Sequence, residues 1–147
     1  MNATQKKFIT KKLIPFILRE KGRGFVMDYT LISRKPGELV WGDGIERAVP
    51  HCGTVGCIKG SIQYLKKVTE TSSCAEVLGI TFNQAYGLFY HWSYIKYPSD
   101  QCHWPKKFML AFDKSKTTQG KARVVTRLLG EVIRTNGECL NPRGTIV

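Results

Sequence analysis

The sequence is short of acid. Only 11 Asp and Glu stand against 23 Lys and Arg, a formal net charge of +12 in 147 residues. The few carboxylates, such as Asp43, Asp100 and Asp113, are scattered. They give no paired spacing for a glycosidase or a two-metal nuclease, and no enzyme activity is expected. Long apolar runs are also lacking. None approaches the roughly 18 residues that suggest a membrane-spanning helix, so no membrane partner is expected. The apolar stretch from Leu13 to Leu18 is broken by Pro15 and followed by Arg19-Glu20-Lys21. That is too short for a signal-peptide core, and no small-residue cleavage site follows it. A cytoplasmic protein is the expectation. The five cysteines (52, 57, 74, 102 and 139) are odd in number. Without an export signal, they point to reduced thiols rather than a disulfide framework. Internal repeats and low-complexity segments are absent.

What is present is a globular composition, 42% hydrophobic with a mean hydropathy of −0.22. One domain of this length can bury a core without staples. The positive charge is uneven. Residues 1–24 carry seven Lys and Arg against Glu20, and residues 100–127 carry seven against two acids, while the stretch between them nearly balances. Two basic blocks favour a polyanionic partner, nucleic acid first, over a uniformly solubilising charge.

Helical periodicity dominates. Ile9, Leu13, Phe16 and Ile17 predict a basic helix over about 4–21. Pro15 lies inside it, so the helix must kink there or end near Lys12. Phe25 to Ile32 is apolar enough for a short strand or a loop. Residues 33–50, with Lys35-Pro36-Gly37 and Gly42-Asp43-Gly44, form a long loop. Val55, Ile58, Ile62 and Leu65 predict a helix capped by Thr54. Ser73 and Glu76 have capping-box spacing before a short helix that Gly79 stops. Thr81 and Gln84 repeat the device, with a helix expected over about 85–90. Pro105 suits a first helical position. The clearest helix spans about 118–135, stopped by Asn136-Gly137, and residues 138–147 resemble a tail. The predicted architecture is mainly all-α: five or six short helices in one domain, with a helical core over 54–135.

Three constellations invite chemistry. In the last helix Arg123, Arg127 and Arg134 fall on one stripe opposite the apolar face, with Gly130 on the same stripe. With Lys121 and the N-terminal Lys6, Lys7, Lys11 and Lys12, they are candidate contacts to DNA or RNA phosphates. Solvation is the plainer use of that face, with Glu131 pairing Arg127 at helical spacing. The aromatic stretch 91–104 offers Trp92, Tyr94, Tyr97 and Trp104 as an interaction loop for a protein partner, although aromatics are more often core. The segment His51-Cys52-Gly53-Thr54-Val55-Gly56-Cys57-Ile58-Lys59-Gly60 holds two cysteines and three glycines. A reactive Cys52 at a helix start, or a zinc site using Cys52, Cys57, Cys102 and His103, are alternatives. The five-residue step between Cys52 and Cys57 exceeds the usual gap between paired ligands, and no Walker pattern accompanies the glycines. Close packing at a helix entrance is the plainer use of Cys52, Gly53, Thr54, Cys57 and Gly60. No cofactor is expected.

The Cys-Gly-Thr-x-x-Cys-Ile-x-Gly core over 52–60, with Leu78-Gly79-Ile80, Gln84-Ala85, Leu88-Phe89, Trp104-Pro105 and a last helix ending at Asn136-Gly137, resembles a family of small uncharacterised bacterial and phage proteins. The resemblance covers roughly residues 8–138. It implies an accessory gene of a phage or mobile element, and hence a host or phage protein as a further partner class. It carries no catalytic residues. Lys59 departs from it, standing where that family has a small residue. Pro15 and the strong positive charge depart as well.

Overall fold

A computed structural model of the chain describes residues 1–19, 58–90 and 101–142. The predicted strand near 25–32, the loop 33–50 and the start of the helix at Thr54 lie outside the described residues. Within them the secondary structure is entirely helical, as predicted, with no strand.

The N-terminal helix resolves the question raised by Pro15 in a third way. It neither kinks apart nor ends at Lys12. Helix α1 (Ala3–Phe8) passes into a π-helical turn (Ile9–Leu13) and then into α2 (Ile14–Arg19). Proline lacks an N–H and its ring crowds the carbonyl four residues back. The wider turn eases that crowding just before the ring, and the Ile14 N–H reaches back five residues to the Ile9 carbonyl. Asn2 starts the helix with a capping box: its side chain accepts from the Gln5 N–H at 2.9 Å, and the Gln5 side chain accepts from the Asn2 N–H at 2.7 Å.

Helix α3 (Ile58–Lys66) ends at Lys67, which adopts the left-handed conformation at φ 56°. Helix α4 (Thr71–Leu78) begins two residues before the predicted capping box. Ser73 therefore sits inside its first turn, and Glu70 takes the cap position without a side-chain bond. Gly79, at φ 71°, stops α4 as predicted. It also lies against the Gln5 side chain, so a Cβ there would collide with it. Helix α5 (Phe82–Phe89) uses the expected Thr81–Gln84 box but starts three residues earlier than the periodicity suggested. Pro105 is the cap of α6 (Lys106–Lys114) rather than its first residue. Helix α7 (Thr118–Thr135) matches the predicted span, capped by Thr117 and closed by Asn136 and Gly137, both left-handed.

One core joins all these elements. Ile9, Leu13 and Ile17 of the N-terminal helix, Ile58 and Ile62 of α3, Leu78 of α4, Leu88 and Phe89 of α5, and Val125, Leu128, Leu129 and Val132 of α7 are all essentially fully buried. The predicted tail over 138–147 is corrected in its first residues, 138–142, and residues 143–147 lie outside the described residues. Residues Glu138–Leu140 form a 3-10 turn, Leu140 is fully buried, and its carbonyl accepts the His103 N–H at 2.9 Å. A buried apolar side chain and a bonded backbone hold this segment down, as a free tail would not be.

Candidate functional site

The arginine stripe of α7 faces outward, as its periodicity demands. Arg123, Arg127, Gly130 and Arg134 are all exposed. A Cβ added at Gly130 would meet nothing within 4 Å. The arginines nevertheless differ in state. Glu131 pairs not with Arg127 but with Arg134, in a fork of 2.9 Å from Nε and 2.6 Å from Nη2. That hydrogen bonding, helped by the Arg134 charge, holds the Glu131 carboxyl below its ordinary range. Arg134 is therefore largely neutralised as a phosphate contact. Arg123 and Arg127 have no ion-pair partner among the described residues.

The two free arginines line an open groove of about 820 Å³ between α2, the end of α6 and the first half of α7. Leu18, Ala111 and Val124 supply apolar surface, Ser115, Gln119 and Thr126 supply polar groups, and Lys114 adds a third cation. Lys114 precedes the stripe by nine residues in sequence. Its place in the groove depends on the tight return from α6 to α7, where Gly120 comes so close to Ser115 and Thr117 that a Cβ there would clash. No helical spacing foretells that neighbour. Lys121 drops out of the predicted set. Its Nζ donates to the Phe112 carbonyl at 2.9 Å and lies 4.2 Å from the Phe112 ring centroid, so it caps the end of α6.

The N-terminal lysines do not act as one group. Lys7, Lys11 and Lys12 are exposed and Lys6 is half-buried. Phe16 stacks on Tyr64 of α3 with centroids 5.3 Å apart, while Lys66 lies 4.8 Å from the Phe8 ring. Lys12, four residues from each phenylalanine, belongs to this α3 flank. Leu18 belongs to the opposite flank, where the groove is.

The other predicted sites divide. Trp92, Tyr94 and Tyr97 lie outside the described residues. Trp104 is not on an interaction surface. It is fully buried, its indole N–H donates to the Leu88 carbonyl at 2.9 Å, and its ring meets Phe112 edge-on at 5.4 Å. An aromatic followed by the proline that starts a helix is pulled into the core by that helix. Cys52, Gly53, Thr54 and Cys57 also lie outside the described residues, and Gly60 is buried in α3. Cys102 is half-buried, with its Sγ 3.8 Å from Asn141 Oδ1, and burial followed by the nearby Glu138 charge pushes its thiol up. That is the wrong direction for a nucleophile. His103 directs Nδ1 to the Trp104 carbonyl at 3.0 Å, and among the described residues no metal-binding cluster forms. Lys59, the departure from the family pattern, is buried, with its Nζ 3.3 Å from the Tyr90 hydroxyl.

One aromatic face stands apart from the core. Phe82 and Tyr86 of α5 are about half exposed, at 52% and 51%, and stacked with centroids 6.3 Å apart. Their spacing of four is readable in the sequence. No helix of the described residues is long and apolar enough to cross a membrane. No protein-family model, curated protein or solved structure matches the chain.

Proposed function

We propose that this chain is a small nucleic-acid-binding accessory protein of phage type, contacting phosphates through Arg123, Arg127 and Lys114. The observation that carries the reading is the groove: two arginines one helical turn apart, both without an acidic partner among the described residues, beside a third cation. Arginine forks suit phosphate oxygens, and the net charge of +12 steers a polyanion toward them. Among the described residues the groove lining includes no aromatic side chain, which favours backbone contact over base stacking.

The test is the salt dependence of binding to a labelled duplex DNA and a duplex RNA of equal length, followed by fluorescence anisotropy. Each phosphate contact contributes a slope of about 0.9 in log affinity against log salt on DNA. Arg123→Gln with Arg127→Gln is expected to lower the slope by nearly two. No binding of either duplex at low salt removes the proposal.

A second reading has one observation in its favour. The exposed Phe82–Tyr86 pair is a hydrophobic face of the kind a protein partner covers. Loss of a co-purifying host or phage protein on Tyr86→Ser, with nucleic-acid binding intact, would support it.

A further inference from the structure

The seam between the N-terminal helix and α3 is built from like charges. Residues 1–19 contain no Asp or Glu, and neither do residues 58–67. The two segments nevertheless pack together, with exposed Lys66 against Phe8 and exposed Lys67 against Tyr64, and Lys12, also exposed, follows Phe8 by about one helical turn. Glu20 follows the first segment directly, outside the described residues, and Glu70 lies three residues past Lys67 at the cap of α4. Aromatic rings hold the cations in place. The Lys66 Nζ is 4.8 Å from the Phe8 centroid, and the Lys67 Nζ is 4.6 Å from the centroid of Tyr64, which itself stacks on Phe16. Cation–π contact fixes where an ammonium sits without neutralising its charge, unlike the carboxylate fork that occupies Arg134.

Three further points narrow what this seam is for. Lys66 and Lys67 complement the negative end of α3, which accounts for those two cations but not for a third from another helix. Lys12, Lys66 and Lys67 have no ion-pair partner among the described residues. A flank of exposed cations with no acidic partner among the described residues suits an extended polyanion. Lys7 and Lys11, also exposed, stand on the outward side of the same helix, between the seam flank and the groove flank.

We infer that this seam, Lys12 with Lys66 and Lys67 braced on Phe8 and Tyr64, is a second phosphate-contacting surface for nucleic acid, on the flank of the N-terminal helix opposite the arginine groove. The inference rests on the nucleic-acid reading of the groove, yet it is separable from it by experiment. Lysine ammoniums act as point charges, so the seam contributes affinity and salt dependence without sequence selection.

The test compares four proteins by anisotropy on the same duplex DNA and duplex RNA, between about 50 and 200 mM salt: wild type, Lys12→Gln/Lys66→Gln/Lys67→Gln, Arg123→Gln/Arg127→Gln, and a charge control, Lys106→Gln at the exposed start of α6. The seam variant is expected to lose up to about 2.7 units of slope on DNA and at least one contact's worth, about 0.9. The control changes less than that. Helical circular dichroism confirms that the glutamine variants fold. A seam variant equal to wild type, beside a weakened groove variant, overturns the seam alone. A control that loses as much slope per charge as the seam variant also overturns it, because net charge then explains the effect. A silent groove variant beside a weakened seam variant keeps the seam and removes the groove. Wild type binding neither duplex removes both.

Discussion

Glu131→Gln should make this protein bind nucleic acid more tightly, and the reasoning runs through a single hydrogen-bonded fork. Glu131 occupies Arg134 with two bonds, of 2.9 and 2.6 Å, on the exposed side of α7. Glutamine keeps the size but removes the charge, so Arg134 rejoins Arg123 and Arg127 on the stripe. One added phosphate contact raises the salt slope on DNA by about 0.9, so a fourfold rise from about 50 to 200 mM salt weakens the variant about 3.5-fold more than wild type. Tighter binding appears at the low-salt end. Glu76→Gln on α4 is the matched control, since it adds the same charge away from the stripe. Anisotropy titrations at several salt concentrations read both quantities. If Glu131→Gln leaves slope and affinity unchanged, or if Glu76→Gln raises them equally, the stripe does not meet phosphate at Arg134. Acid acts in the same direction as the substitution. Because the Glu131 carboxyl is held low, chiefly by the bond from Arg134, its contribution to stability is intact above the ordinary carboxylate range near pH 4. It is lost as pH falls through the lowered folded value.

Three other outcomes are expected. Trp104→Phe strands the buried Leu88 carbonyl and leaves a gap, costing about 2–4 kcal/mol in urea unfolding and roughly 5–15 °C in Tm. A loss below about 0.5 kcal/mol, the usual range for a surface substitution, would restore Trp104 to the surface. Gly130→Ala places a Cβ in open space within a regular helix and should stabilise by about 0.5–1 kcal/mol in the same assay; destabilisation would contradict the open surroundings. Cys102 and Cys139, whose thiols burial pushes up, should react with iodoacetamide at neutral pH more slowly in the folded protein than in urea, followed by mass spectrometry. Equal rates would show that neither thiol is shielded.

The sequence declares some of this structure and hides the rest for physical reasons. Helix α7 is legible because a period of 3.6 sustained from Val124 to Ile133 leaves no other reading, and its stop at Asn136-Gly137 needs only left-handed geometry. The Thr81–Gln84 box is local and is found. The Ser73 box is equally local, and the fold passes over it: packing of Cys74, Ala75 and Leu78 lets α4 begin earlier, at Thr71. Residues 138–142 look like a tail because two adjacent buried side chains, Cys139 and Leu140, anchor them, and a lone adjacent pair has no period. In the site, the stripe of Arg123, Arg127 and Arg134 follows from spacing. Which arginine Glu131 takes does not, since i, i+3 and i, i+4 partners are both within reach. Lys114 and Lys66 acquire their neighbours only through tertiary contact, whereas Lys67 rests on Tyr64 three residues before it.

The π-helical turn before Pro15 has a consequence for the whole basic surface. Phe8 and Phe16 are eight residues apart, and on a straight α-helix they would point about 80° away from each other. The single wide turn at Ile9–Leu13 takes back most of that drift. Both rings can then lie along α3, with Lys12 between them. The turn works as a phase shifter: one surplus residue sets which lysines face the seam, which stand outward and which side of the helix meets the groove. Removing Ile9, Thr10 or Leu13 would keep every lysine and change the directions in which they point.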